Sequence, residues 1–449
     1  MRPFDRVLAV LRARRSASRL KSRPFPIVFL SILILSTGPR TSFAQQAGGA
    51  ASQTVSMREA IRRTLERNPV LRATAWEVPK AAARLRQAGA RSNPDLSFEL
   101  ENFSGSRAGL SASEATLSLR YPLDLGGKRS ARLGVARSDQ AVTAWNLESR
   151  RLEWASEAAM RFLRLQALEA TMRLAADEVR GAQEAHATTS LRVRTGAAHS
   201  VEERRAEVEL VNARLERVQL ESQTSLARTR LGSLWGEPEA EPGLRPDTAE
   251  ALPDAPSLDT LLTRLEIVPS VARWRDEREW RRSELALKRA EGMPDVSVTA
   301  GMRLLQEGDE RTFLAGVSLP LPLFDRNAGA IAAARAAVSQ ADDEWTSART
   351  QARSVVLEAN STVLRSRRRL TALRTEVLPG AGRAFEEMRI GFERGRFTYL
   401  DLLEARRTWT RSRREELDAL LEYQLGLVEL NRLTSATVAE FTAGIGATR

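Results

Sequence analysis

Two histidines and no cysteine set narrow limits on the chemistry open to this chain. A transition-metal site built from it would have to be mostly carboxylate. His186 falls in a long helical stretch and reads as a helix-surface residue. His199 falls in a turn, where a weak metal contact is the most it offers. There is no phosphate-binding glycine loop, no His-Glu-x-x-His and no nucleophile elbow. The expectation is therefore no enzyme, no catalytic residue, no cofactor and no bound metal. The residues that remain as candidates are acids. Asp401 and Glu404 stand three apart at the start of a helical stretch, so they share one face. Acids in a first turn also answer to the helix dipole, so a functional pair and a plain helix start both fit. Glu202 and Glu203 lie near the equivalent place in the first half of the chain, but Arg204 and Arg205 follow them and mix the charge.

The elements that carry these residues begin after an expected export signal. A basic stretch from Arg2 to Arg23 precedes the apolar residues 27–35. Gly38-Pro39 and Ser42-Phe43-Ala44 follow, with small residues placed for cleavage after Ala44. A run of nine residues, apolar but for Ser31, is too short to span a bilayer as a helix, which takes about 20. Without residues 1–44 the formal charge falls from +12 to about +4, so the high isoelectric point gives no case for nucleic acid as a partner. With no cysteine, neither disulfides nor a lipidated N-terminus are expected, and stability must come from packing or assembly. No later stretch is apolar enough for a membrane helix, so any insertion must be by β-strands.

The chain is duplicated at a spacing of 200 residues. Asn93-Pro94-Asp95-Leu96-Ser97-Phe98 answers to Met293-Pro294-Asp295-Val296-Ser297-Val298, Leu117-Ser118-Leu119 to Val317-Ser318-Leu319, Pro122-Leu123 to Pro322-Leu323, and Pro69 to Pro269. Such a period exceeds that of common solenoids and reads as two structural halves. Each half carries two strands with period-two alternation. In the first, Leu96, Phe98 and Leu100, then Ala115, Leu117, Leu119 and Tyr121, alternate with polar residues. In the second, Val296, Val298, Ala300 and Met302, then Phe313, Ala315, Val317 and Leu319, do the same, with Leu314 as the exception. Polar loops at 103–113 and 304–310 would make each pair a hairpin. Two soluble hairpins would have free edges and little core; strands of about nine residues also fit a transmembrane barrel. Four strands cannot enclose a lumen, so the barrel reading requires several copies. Pro122 and Pro322 are expected to stop the ladders.

The rest reads as helix. Residues 128–194 lack proline, and 330–378 lack proline and glycine; both are rich in Ala, Leu, Glu and Arg. Some 60 helical residues make a rod of about 90 Å. No single clean heptad runs through them, which suits helices packed on two sides in a cylinder better than a two-stranded coiled coil. Each rod turns at a glycine, Gly196 or Gly395, and returns over about 200–234 or 398–433. Ser200 with Glu203, and Thr398 with Asp401, have the spacing of capping boxes. The expected organisation is a signal at 1–44, a first repeat at 45–234 (β-hairpin about 95–121, helical hairpin about 128–234), a connector at 235–257, a second repeat at 258–434 (β-hairpin about 295–319, helical hairpin about 326–433) and a tail at 435–449.

At these residues the chain resembles the TolC family of outer-membrane efflux channels, and more narrowly its CzcC-like heavy-metal branch. The resemblance rests on Asn93-Pro94-Asp95-Leu96 with Glu101-Asn102-Phe103, on 121–129 (Tyr121-Pro122-Leu123-Asp124-Leu125-Gly126-Gly127), on 319–327 and on Gly395 with 399–405, and it covers about 55–435. It implies a mainly α fold with a β-barrel portion: four transmembrane strands per chain, twelve in a homotrimer, above a periplasmic tunnel of helical hairpins. It implies a periplasmic adaptor and, through it, an inner-membrane resistance-nodulation-division transporter as partners, and outer-membrane lipid around the barrel. Asp401 and Glu404 match the acids lining the family's closed periplasmic aperture. Threefold symmetry would place six carboxylates round a pore, favouring cations and raising some of their pKa values. Arg194, Gly196, Arg394 and Gly395 would lie at the adaptor-docking tips, although the glycines also serve simply to turn the chain. Divalent metal cations are the expected cargo. Drug efflux or type I secretion by the same kind of channel, and a periplasmic adaptor or helical scaffold of another kind, are the alternatives.

Overall fold

A computed structural model describes residues 54–103, 113–239, 241–245, 256–306 and 310–446. The export signal expected at 1–44, most of the first hairpin loop and the middle of the connector lie outside the described residues. The described chain is mostly helical, with four strands. Helices α1 (Met57–Arg67), α2 (Pro69–Ala75) and α3 (Glu77–Ala88) lead to β1 (Asp95–Glu101) and β2 (Glu114–Leu123). Then come α4 (Lys128–Arg194) and α5 (Ser200–Gly232). A short α6 (Leu258–Thr263) and α7 (Pro269–Glu291) lead to β3 (Val296–Leu305) and β4 (Glu310–Ser318). The second rod is α8 (Ala328–Ala372), a π turn (Leu373–Val377) and α9 (Leu378–Glu393); α10 (Tyr399–Thr434) and α11 (Val438–Gly446) close the chain.

Local chemistry explains the helix starts. The Ser56 hydroxyl accepts from the Glu59 amide at 3.3 Å. The Asn68 side chain accepts from the Val70 and Leu71 amides while Pro69 fills the first helical position, where a missing N–H costs nothing. The buried Asn68 also donates to the Leu234 carbonyl at 2.8 Å, tying the first helices to the far end of α5. At 67 residues, α4 runs about 100 Å without interruption. Its counterpart is broken by the π turn just ahead of Pro379, whose ring cannot share the regular ladder.

The four strands form one antiparallel sheet in the order β1-β2-β3-β4, so the two hairpins join through β2 and β3. The register places Phe98 opposite Leu117, Leu117 opposite Met302 and Met302 opposite Phe313. Leu96, Leu119, Ala300 and Ala315 form the next row. One face is therefore apolar across all four strands, and it is open: Phe98 is 67% exposed, Val317 74% and Phe313 88%. The other face carries Ser97 hydrogen-bonded to Ser118, and Arg303 bonded to Thr116 and Glu114. Within the chain β1 and β4 each leave one edge unpaired.

Pro122 does not end its strand as expected: β2 continues to Leu123, with Pro122 opposite Ser297. Beyond Arg120 there is no β1 residue on its other side, so the missing N–H interrupts no ladder there. The second hairpin loop is also shorter than expected, because β3 reaches Leu305 and β4 begins at Glu310. Part of the connector is pinned: Val55 donates to Gly243 O at 2.9 Å, and Arg245 donates back to Val55 O at 3.1 Å.

The largest core gathers Ile61 of α1, Phe162 and Leu165 of α4, Leu231 and Trp235 at the end of α5, and Phe441. The segment read as a tail thus carries a docked helix, with Phe441 fully buried and its carbonyl accepting from Asn431 at 2.7 Å. Phe441→Ala should destabilise the protein by about 3–5 kcal/mol, the usual cost of emptying a buried aromatic site. A thermal melt matching wild type would show that α11 is dispensable.

Candidate functional site

Both helical hairpins turn by the same device. At the first, the Gly196 amide bonds to Val193 O at 3.1 Å and the Ala197 amide to Arg192 O at 2.7 Å. At the second, Gly395 bonds to Phe392 O at 3.0 Å and Arg396 to Gly391 O at 2.8 Å. These paired bonds require a left-handed residue one past the helix cap, and both glycines have φ of 74°. Arg194, two residues before Gly196, and Arg394, next to Gly395, are exposed. The tips lie side by side: Arg192 donates to Phe392 O at 3.2 Å and its guanidinium sits 4.8 Å from the Phe392 ring centre. Ala206 of α5 packs with Phe392, Tyr399 and Leu402.

Only the second returning helix starts with a capping box. The Asp401 amide bonds to the Thr398 hydroxyl at 3.3 Å, and the Asp401 carboxylate accepts from the Thr398 amide at 2.9 Å. The Thr398 hydroxyl, then its amide, hold the Asp401 carboxyl below the ordinary aspartate range. Within the chain the shift is thus downward, and its cause is the local cap. Glu404, one turn on, is exposed. In the first half the expected box does not form. His199 takes the cap position with no side-chain bond, and Glu203 instead accepts from Ser190 of α4 at 2.6 Å. The partner across the hairpin has displaced the local one. Glu202 keeps one buried carboxylate oxygen without a hydrogen-bond partner.

A charged seam joins the two hairpins above the tips, and it was not anticipated. Arg414 of α10 reaches Glu178 of α4 at 2.7 Å and Glu216 of α5 at 2.6 Å, and Arg407 pairs with Glu209. Arg406 donates to the Glu178 carbonyl, and burial pulls the pKa of its guanidinium down. Burial, followed by the nearby Glu209, pushes Tyr399 up to about 12. A signal for the seam exists in the sequence: Glu209 and Glu216 are seven apart, as are Arg407 and Arg414, so each pair repeats on one helix face. Among the described residues, no group of three or more His, Asp or Glu could hold a metal ion. None of the described helices is long and apolar enough to cross a membrane.

The sequence model of the outer membrane efflux protein family matches residues 60–237 and 265–436. The chain belongs to that family. It is 31% identical over 367 residues to the cobalt-zinc-cadmium resistance protein CzcC of Cupriavidus metallidurans, covering 81% of this chain and 86% of that protein. The nickel-cobalt-cadmium resistance protein NccC of Alcaligenes xylosoxydans is 26% identical over 353 residues, covering 78% of each. The fold is that of the outer membrane protein VceC of Vibrio cholerae, with a TM-score of 0.70 at 18% identity over 83% of this chain and 95% of that one. This efflux protein resides in the outer membrane and extends into the periplasm. Its family supplies the outer-membrane part of tripartite efflux systems, beside an adaptor and an inner-membrane transporter.

Thr398→Ala should cost about 1 kcal/mol by removing the helix cap. The Asp401 contribution has a definite sign with pH. A depressed carboxyl stabilises the fold above its unfolded value and loses that contribution as pH falls through the folded one. The gap in stability between wild type and Asp401→Ala should therefore be full at neutral pH and close below about pH 4. A gap that widens in acid would contradict the cap geometry.

Proposed function

We propose that this chain is the outer-membrane channel of a tripartite resistance-nodulation-division efflux system that exports divalent heavy-metal cations, and that it works as a homotrimer rather than as an enzyme. The observation that carries this reading is the sheet. Its four strands present a face that is apolar but for Arg311 at one end, and leave β1 and β4 with unpaired edges. Three copies joining β4 of one to β1 of the next would close twelve strands into a barrel with no edge, its apolar face toward outer-membrane lipid. The polar face, with Asp95, Glu99, Arg120 and Arg303, would line the lumen. The metal cargo rests on the names of the relatives, which are cobalt, zinc, cadmium and nickel resistance proteins.

The long helices would then form the periplasmic tunnel, and the tips around Arg194, Gly196, Arg394 and Gly395 would meet the adaptor. Asp401 and Glu404 would line the aperture. Their parts differ: Asp401 is engaged in the cap, while Glu404 leaves its charge to the passage. Replacing both by Asn and Gln should raise leak conductance or alter cation block in planar bilayers, with Glu404→Gln acting without loss of stability. Unchanged channel behaviour in the double variant would remove the aperture assignment. The cargo is tested by growth of a deletion strain on zinc, cobalt, cadmium, nickel and copper beside hydrophobic antibiotics. Metal sensitivity restored by the intact gene is the expected result; sensitivity to drugs alone would keep the channel and discard the metals.

A further inference from the structure

Where the second half leaves the sheet, the segment between β4 and α8 is apolar and open. Leu319, Leu321 and Leu323 are 48%, 69% and 65% exposed, and Phe324 is fully exposed. The helix caps align the two halves here: Gly127 before α4 and Asn327 before α8 both take a left-handed φ, 71° and 59°. Phe324 therefore stands where the first half has Asp124. That carboxylate is satisfied within its own half, accepting from Ser92 at 3.2 Å and from Arg132 at 2.8 Å. The aromatic ring at the equivalent place meets only water, and the duplication does not require it.

We infer that residues 319–324 lie at the boundary of the periplasmic leaflet of the outer membrane, with the Phe324 ring among the acyl chains of phospholipid; the inference rests on the barrel reading. Three observations select lipid as the occupant. First, β4 alone is too short. From Phe313 to Val317 its exposed apolar side chains cover about 14 Å of strand, or about 10 Å of height at a tilt of about 40°, against an apolar band about 25 Å tall. Leu319, Leu321 and Leu323 keep the two-residue spacing and add up to about 15 Å of height, which brings the band down to Phe324. Second, the backbone suits hydrocarbon. Pro320 and Pro322 have no N–H to leave unpaired, and the Leu323 amide donates to Leu321 O at 2.9 Å. Third, the charge is complementary. Each of the four junctions between helix and strand carries an exposed arginine, Arg91, Arg129, Arg289 and Arg326, as phosphate headgroups at this level would favour. A second copy of the chain does not fit the same place. The second half meets the first junction at its next residues: the Leu125 amide donates to Asp295 at 3.3 Å, and Met293 would meet a Cβ on Gly126. A copy approaching the second junction in the same way would reach Asp325 and the backbone of Arg326, leaving Phe324 to face outward.

The chain has no cysteine, so a single introduced thiol can carry a probe without background. Full-length Val317→Cys, Phe324→Cys and Arg194→Cys are labelled with an environment-sensitive fluorophore in vesicles of phosphatidylethanolamine and phosphatidylglycerol. Quenching is then read with phospholipid that carries a nitroxide either near the headgroup or at the chain end. The expected result is a blue-shifted emission at 317 and 324, with 324 quenched more by the nitroxide near the headgroup and 317 more by the one at the chain end. The probe at 194 should show neither effect. Quenching at 317 without quenching at 324 would overturn the inference and leave the barrel standing. A blue shift at 324 that neither nitroxide quenches would place the residue against protein and overturn it as well. No quenching at 317 would remove the barrel reading and this inference with it.

Discussion

In hydrocarbon an unpaired backbone N–H or C=O costs several kcal/mol, and in water an open apolar sheet face invites aggregation. Four strands with one apolar face and two free edges meet both penalties at once, and neither is relieved inside a single copy. Closing the sheet on further copies relieves both. In the proposed closure, strands carried round a common axis would hand their chains to rods that descend side by side.

Rods of this length need lateral ties along their course, because propensity alone does not hold neighbouring helices in register. The ties differ with height. Midway along the rods they are aliphatic and aromatic, in the core around Phe162, Trp235 and Phe441. Toward the tips Ala182, Ala185, Ala206 and Ala213 pack among Val179, Leu210, Phe392 and Tyr399, and arginine-carboxylate pairs add ties between the hairpins. A pair such as Arg414 with Glu178 and Glu216 contributes direction more than depth of stability, because partly exposed charges are screened. The lower part of the rods is thus joined by charge pairs as well as packing, while the middle is held by packing.

The two halves show how one ancestral plan has been used differently. The first rod is continuous; the second bends through a π turn before Pro379. The first returning helix exposes Val208 and Leu215, and the second has Arg407 and Arg414 at the equivalent positions, which enter the charged seam. Asp401 closes a capping box that Glu203 forgoes in favour of Ser190. Each divergence lies in the helices, where replacing a side chain changes a contact and leaves the rod intact. The strands tolerate no such freedom, since a one-residue slip would turn every side chain to the wrong face.

By itself the sequence determined the features that repeat within a segment or across the duplication: the alternation of the four strands, the two long rods, the glycine turns at Gly196 and Gly395, and the Thr398–Asp401 cap. Those depend on neighbours a few residues away, which a linear reading contains. The acids at 401 and 404 were legible as a pair, but not that one of them is held by Thr398 below its ordinary range. The pairing of β2 with β3 across the halves, the passage of β2 through Pro122, the burial of Phe441 and the choice of Glu178, Glu209 and Glu216 as partners of α10 were decided only in three dimensions. Each depends on which distant segment arrives alongside, and the local periodicity of a strand or helix is the same whichever partner that is.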